Sequence, residues 1–397
     1  MFPELQLDTV HTMLDTNLFS KMFNNTTQSY KFYWFEAILN LITTKEDDLT
    51  YNEIVDEMIC EVWHTVTHYH LRLGPIVNGN AENFLEHAVK VLNENATDLS
   101  QNPSKEEIKA AIDLYDHKLK KDKMNLVNYV PYKLLYPFFD VAGMEEGLEY
   151  IRRDKRSHLI SYMSRLSGKE NVLYTILDGE GLQKKVRMHP DWRTFILKNY
   201  AVIQSWVQYH KAQFLQDRNP GVPGIIYKIN PEEDYIRKLD QVRDLWKTVV
   251  GVTGQPIKEI YTGQEISLDT LSIDHFVPRS YISNDELWNL IPMRKTLNSS
   301  KSNRLPSWDD FFGPFVKYQY YLYDLIFPRN EESKSEAIIH KFEKCRRNNL
   351  NAIWAAESLY ITGNTEEQFT NILSHNLKPI YEAAQLQGYD TWRMDKV

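Results

Sequence analysis

Three short motifs follow one another in the second half of the sequence: SIDHFVPRS at residues 272–280, LWNLIP at 287–292 and LNSSKSNRLP at 297–306. The first two are short, β-prone runs separated by turn-forming residues, which indicates two strands. The third is typical of a short helix that presents Asn298 and Lys301 on neighbouring turns. Asp274 and His275 are adjacent in the first strand, so their side chains point to opposite faces of it.

These residue types suit the cleavage of a phosphodiester bond. The side chains of Asp274 and Asn298 offer oxygen ligands, which favour Mg²⁺ or Mn²⁺ over zinc. His275 can exchange a proton near neutral pH without a large pKa shift. The segment 271–306 holds five basic residues against three acidic ones, a local excess of positive charge that would attract a phosphate.

From about Ile257 to Pro306 the sequence resembles the HNH, or ββα-metal, nuclease family. It is most similar to the HNH domain of the RNA-guided type II CRISPR nucleases and to stand-alone bacterial HNH proteins of restriction and phage defence. The resemblance implies that Asp274 binds a metal and that His275 is the general base. It also implies that Asn289 braces the loop that aims the base, and that Asn298 completes the metal site.

Other features of the motif carry further expectations. Lys301 stands three residues after Asn298, as the family pattern requires, and we count it with His275 and Asn289 as a catalytic residue. Many relatives bind a structural zinc through Cys-x-x-Cys pairs, but this sequence has only Cys60 and Cys345. We therefore expect Mg²⁺ or Mn²⁺ and no structural zinc.

Helical patterns dominate the rest of the chain. Ser104 and Glu107 form a capping box, a helix is expected over roughly Tyr51 to His70, and no period of two indicates a strand in the first half. Another helix is expected over Glu232 to Val249. The aromatic residues from Trp308 onward are expected to pack the nuclease segment against C-terminal helices, with stacking of unpaired bases as the alternative.

The Pro- and Gly-rich stretch NPGVPG at residues 219–224 predicts a domain boundary. We expect a helical N-terminal region at 1–218, a nuclease module with a leading helix at 232–310, and a C-terminal helical region at 311–397. The expected fold class is a mainly α, multi-domain protein with a small ββα-metal (HNH) nuclease module.

The net charge of −8 is unevenly distributed along the chain. Residues 1–100 hold 5 Lys/Arg against 15 Asp/Glu, whereas residues 151–200 hold 11 basic against 5 acidic residues. We expect the acidic N-terminal region to bind a protein partner and the basic residues to bind nucleic acid. The predicted nucleic-acid contacts are Arg152, Arg153, Arg156, Lys184, Lys185, Arg294, Lys295 and Arg304.

The sequence thus predicts a metal-dependent endonuclease that hydrolyses DNA in bacterial restriction or anti-phage defence. Two alternatives remain open: an RNA endonuclease with the same site, and a nucleic-acid-binding or partner-docking subunit that does not cut. The two cysteines suit a reducing cytoplasm. No apolar run is long enough for a membrane span, and the acidic residues near the N-terminus argue against a signal peptide.

The basic segment generates the first prediction. Changing Arg152, Arg153 and Arg156 to Glu should weaken DNA binding and flatten its salt dependence, because each lost phosphate contact removes about one unit from the slope of log K against log salt. Charge reversal at the acidic residues Glu46, Asp47 and Asp48 is the matched control and should leave the slope unchanged. An unaltered slope in the arginine variant would mean that residues 151–200 are only a solvated face.

Overall fold

The computed structural model describes residues 14–24, 26–76, 82–100, 102–139, 163–168, 172–229 and 239–393. The chain forms two compact units, one of residues 1–220 with 228–230 and the other of residues 221–227 with 231–397. Their boundary falls in the Pro- and Gly-rich stretch at 219–224. The segments predicted as the nuclease module and the C-terminal helical region both belong to the second unit.

The first unit is mostly helical. Ten of the fifteen residues of helix α2 (Tyr30–Thr44) are buried, and Trp34, Phe35, Ile38 and Leu39 among them are inaccessible to solvent. The predicted capping box is confirmed, because Ser104 accepts from the backbone of Glu107 and the Glu107 carboxylate accepts from that of Ser104. The helices are α1 (Thr16–Ser20), α2 (Tyr30–Thr44), α3 (Tyr51–Thr67), α4 (Phe84–Asn95), α5 (Lys105–Leu126), α6 (Val130–Lys133), α7 (Pro190–Lys198) and α8 (Tyr200–Arg218).

A small antiparallel sheet corrects the expectation of helices alone in the first half. It joins β1 (Leu49–Thr50), β2 (Tyr174–Leu177) and β3 (Lys185–Met188) in the order β1-β3-β2. These strands have two to four residues, and β3 buries only Val186. A strand that short shows too few alternations for a period of two to be recognised in the sequence.

The second unit contains a β-hairpin, two further short strands and several helices. In the hairpin, β4 (Leu271–His275) pairs antiparallel with β5 (Leu290–Arg294), and β6 (Leu305–Pro306) pairs parallel with β7 (Thr391–Trp392). The helices are α9 (Ile225–Lys228, whose last residue is grouped with the first unit), α10 (Leu239–Thr253), α11 (Arg279–Ile282), α12 (Lys295–Lys301), α13 (Trp308–Ile326), α14 (Glu336–Asn349) and α15 (Glu366–Leu386), with a π-helical turn at Ala355–Leu359. The strand–strand–helix order expected from the three motifs is present as β4, β5 and α12, and α12 contacts both strands.

The aromatic packing predicted for this unit is confirmed. Phe276 stands just after β4. The centroid of its ring lies 4.4 Å from the ring centroid of Phe315 and 6.0 Å from that of Trp308, both in α13. It also lies 6.3 Å from the Tyr381 ring in α15. The hairpin is therefore packed against helices that follow it in sequence.

The structure agrees with the fold class expected from the sequence. The described part of the chain is mainly helical, with the small ββα arrangement in the second unit. Among the described residues, none of the helices combines the length and the apolar character that a membrane span requires. Cys60 and Cys345 are buried as free thiols, and burial raises the pKa of each to about 12.

Candidate nuclease site

The hairpin places the Asp-His pair at the end of its first strand. Asp274 lies opposite Ile291 and His275 opposite Leu290 in the register of β4 and β5. Because neighbouring residues of a strand face opposite sides, the two side chains have different surroundings. Asp274 contacts Tyr261 and Lys301, whereas His275 contacts Asp285.

Asn289 forms hydrogen bonds with the backbone of the residues that follow β4. Its side chain accepts a hydrogen bond from the Val277 amide and donates one to the Val277 carbonyl, each at 2.8 Å. Its own carbonyl accepts from the amide of Phe276 at 2.8 Å. Asn289 is fully buried, so these bonds fix the backbone directly after His275; the role of Asn289 in aiming a base stays a prediction.

Asn298 joins α12 to β4 through its amide nitrogen. That nitrogen donates to the Ser272 hydroxyl at 3.0 Å and to the Ile273 carbonyl at 3.2 Å. A carbonyl can only accept, so the orientation of the Asn298 amide is determined. Within the described residues its Oδ1 accepts no hydrogen bond, which leaves an oxygen beside the strand that carries Asp274.

Lys301 is completely buried at the end of α12. Its Nζ lies 3.2 Å and 3.1 Å from the two carboxylate oxygens of Asp274, and it donates to the His275 carbonyl at 2.7 Å. Burial lowers the pKa of Lys301 below its usual value, and the Asp274 carboxylate opposes that shift. The geometry makes Lys301 a support for Asp274; a direct part in catalysis stays a prediction.

Asp285 is a residue of this site that the sequence motifs did not indicate. Its Oδ1 lies 2.9 Å from Nε2 of His275 and 3.2 Å from Nε of Arg279. Asp285 stands in the SND segment between the strands, which has the composition of an ordinary turn. No spacing rule connects it with His275, and only the folded loop brings the two together.

The oxygen donors fit a small divalent cation. The described residues contain no group of three or more His, Cys, Asp or Glu side chains that could hold a metal ion. Asp274 supplies a carboxylate and Asn298 an amide oxygen, which matches the way Mg²⁺ is bound through one or two carboxylates while water and phosphate complete its ligands. Those two residues are therefore the ones that could hold a metal here.

Three of the predicted nucleic-acid contacts, Arg294, Lys295 and Arg304, belong to the second unit, and they differ in exposure and in hydrogen-bond partners. Arg294 forms an ion pair at 2.9 Å with buried Glu259, and Arg304 donates to the carbonyls of Ser300 and Lys301 at the end of α12. Lys295 is exposed. A role in nucleic-acid binding stays a prediction for all three residues.

The remaining predicted contacts belong to the first unit or lie outside the described residues. Lys184 donates to the Tyr132 hydroxyl at 3.3 Å, and Lys185 is exposed on β3. Arg152, Arg153 and Arg156 lie outside the described residues.

Comparison with known proteins finds a similarity for this segment. A protein-family model described as HNH endonuclease matches residues 259–307. This segment is therefore similar to HNH endonucleases, and it is named the HNH module after that match. The match begins at Glu259 and includes the hairpin and α12. It therefore contains all five residues of the motif: Asp274, His275, Asn289, Asn298 and Lys301. The match supports a nuclease activity for the module. A comparison with curated proteins finds no match.

The brace formed by Asn289 generates a stability prediction. Asn289→Ala leaves the buried amide and carbonyl of Val277 unpaired, and each unpaired group costs about 1–3 kcal/mol. The free energy of unfolding of the second unit should therefore fall by roughly 2–4 kcal/mol in urea denaturation. Asn284→Ala, at an exposed position of the same loop, is the matched control and should change it by less than about 0.5 kcal/mol. Equal stability of the two variants would contradict the bracing role.

Proposed function

We propose that the HNH module is a metal-dependent endonuclease that hydrolyses the phosphodiester bonds of DNA. One observation supports this most directly: Asp274 and His275 lie on opposite faces at the end of one strand, and Asn298 approaches that strand from the packed helix α12. Oxygen ligands and a proton acceptor would thus be available within one small module, which supports the proposal. RNA, held at the same site, is the alternative substrate.

In this proposal Asp274 and Asn298 hold Mg²⁺ or Mn²⁺. When bound, such an ion neutralises the charge that develops on the phosphate and on the leaving 3′ oxygen. Lys301 keeps the Asp274 carboxylate in place from the buried side. Asn289 holds the backbone on which His275 stands.

His275 acts as the general base. It takes a proton from a water molecule as that water attacks the phosphorus in line with the leaving 3′ oxygen. The P–O bond to the 3′ oxygen breaks, the leaving oxygen takes a proton from solvent water, and the products carry 5′-phosphate and 3′-hydroxyl ends. The carboxylate of Asp285 lies beside His275, and the guanidinium of Arg279 lies beside that carboxylate.

The cellular context rests on the sequence alone. Resemblance to restriction and phage-defence HNH proteins suggests a role in bacterial defence, in the cytoplasm. The basic residues of 151–200 would contact the nucleic acid, and the acidic first hundred residues would bind a protein partner. The other alternative is a subunit that binds nucleic acid or a partner without cutting; the presence of Asp274, His275 and Asn298 together argues against it.

Substrate assays with the purified full chain test the proposal. Supercoiled plasmid, linear DNA and RNA are each incubated with Mg²⁺, with Mn²⁺ or with a chelator. Cleavage of DNA that stops in the chelator supports the proposal. Cleavage of RNA alone would favour the alternative substrate, and binding without cleavage of either would favour the non-cutting subunit.

Variants of the three site residues provide the mechanistic prediction. His275→Ala should lower the cleavage rate by at least about 10²-fold, the usual scale for loss of a general base, with DNA affinity nearly unchanged. Asp274→Ala and Asn298→Ala should each abolish or greatly weaken cleavage. His340→Ala, an exposed histidine of α14, is the matched control and should cleave like the wild type. Near wild-type cleavage by the His275 variant would remove this residue from the mechanism.

A further inference from the structure

The imidazole of His275 is held from one side by a carboxylate. Its Nε2 lies 2.9 Å from Oδ1 of Asp285, and each of the two side chains is only 10% exposed. An ionised carboxylate can accept but not donate hydrogen bonds. In a neutral His275 the proton must therefore be on Nε2, and the lone pair that can accept a proton must be on Nδ1.

The charge of this carboxylate is supported by a neighbouring cation. Nε of Arg279, at the start of α11, lies 3.2 Å from the same oxygen of Asp285. A guanidinium stays protonated at every pH at which proteins fold. It thus favours the ionised, acceptor-only form of Asp285.

The loop that carries Asp285 is anchored by residues beyond the segment that matches the HNH family. The backbone carbonyl of Asp285 accepts from the side chain of Asn349 at 2.8 Å, at the end of α14. The next residue, Glu286, is buried, and its carboxylate accepts from the backbone and side chain of Asn351 and from the Trp288 indole. A carboxylate on a loop held at so many points has a defined position.

We propose that Asp285 is a positioning residue of the nuclease: it accepts a hydrogen bond from Nε2 of His275 and so presents Nδ1 as the base. This inference rests on the proposed function of His275. It extends to this module the general logic by which a nucleophile's base is oriented by a third group. Arg279 and Asn349 act further out, by keeping Asp285 charged and in place.

Two other roles for Asp285 give different results. If Asp285 were a latch that keeps His275 away from its substrate, its removal would raise the cleavage rate. If it only stabilised the loop, its removal would lower stability without acting through His275. The experiment has to separate these roles from positioning.

A double-mutant cycle on cleavage by the full chain makes that separation. Asp285→Ala should lower kcat by about 10- to 100-fold, with little change in KM, because losing the residue that orients a base should cost less than the roughly 10²- to 10⁴-fold that the base itself contributes. In a His275→Ala background the same substitution should cause no further loss, because Asp285 acts only through His275. The kcat of Asp285→Asn should lie between those of the wild type and Asp285→Ala, since an amide can accept a hydrogen bond from Nε2–H but can also donate one to Nε2. Asn284→Ala, the exposed neighbour, should cleave like the wild type.

A faster Asp285→Ala enzyme, an unchanged one, or a full further loss in the His275→Ala background would each overturn the proposal. Ring ¹⁵N spectra of protein labelled at histidine, at a pH where histidine is neutral, provide a readout that needs no cleavage. The His275 signals, assigned by their loss in His275→Ala, should show the Nε2–H tautomer in the wild type and a mixture in Asp285→Ala. The same tautomer in both proteins would overturn the proposal, even if the wild type proved to cut neither DNA nor RNA and the proposed function failed.

Discussion

The ammonium group of Lys301 lies fully buried between the carboxylate of Asp274 and the carbonyl of His275. Burying a charged group costs several kcal/mol unless an opposite charge and hydrogen bonds compensate for its lost contact with water. Asp274 and the His275 carbonyl supply that compensation. The helix α12 can therefore end at Lys301 only where β4 presents this pair of groups, and the rest of the site follows from that constraint.

Further buried polar contacts tie the strands and the helix of the module to one another. Asn289 ties the end of β4 to the start of β5, and Asn298 ties α12 to β4. Each contact is directional, so together they fix the register of the hairpin and the position of the helix with respect to it.

The helices that follow the matched segment complete the module. Gln319 of α13 donates to the carbonyls of Leu287 and Leu290 and accepts from the Tyr360 hydroxyl. Asn349 and Asn351 hold the loop that carries Asp285 and Glu286. The candidate site is therefore supported by residues well beyond position 307, in the segment from residue 311 onward that the sequence predicts as a C-terminal helical region.

The sequence predicted the local features of the site better than its long-range contacts. The hairpin and the short helix are predicted from motifs within 35 residues of one another, where spacing largely determines geometry. The roles expected for Asp274 and Asn289 are those that the resemblance to the HNH family implies, and they stay predictions. The contact of Asp285 with His275 depends on the path of a loop, and the burial of Lys301 depends on how α12 packs. The sequence does not indicate the short strands β1, β2 and β3, because two to four residues show little periodicity.

A double-mutant cycle at Lys301 and Asp274 tests the central claim most directly. The measured quantity is the free energy of unfolding of the second unit, obtained by urea denaturation of the full chain. Lys301→Met leaves a buried carboxylate without its partner and should lower the free energy of unfolding by about 3–5 kcal/mol, and Asp274→Asn should destabilise for the corresponding reason. The account predicts that the double variant is clearly less destabilised than the sum of the two single variants, because it contains no unpaired buried charge. Simple addition of the two effects would contradict the claim that this ion pair holds the site together.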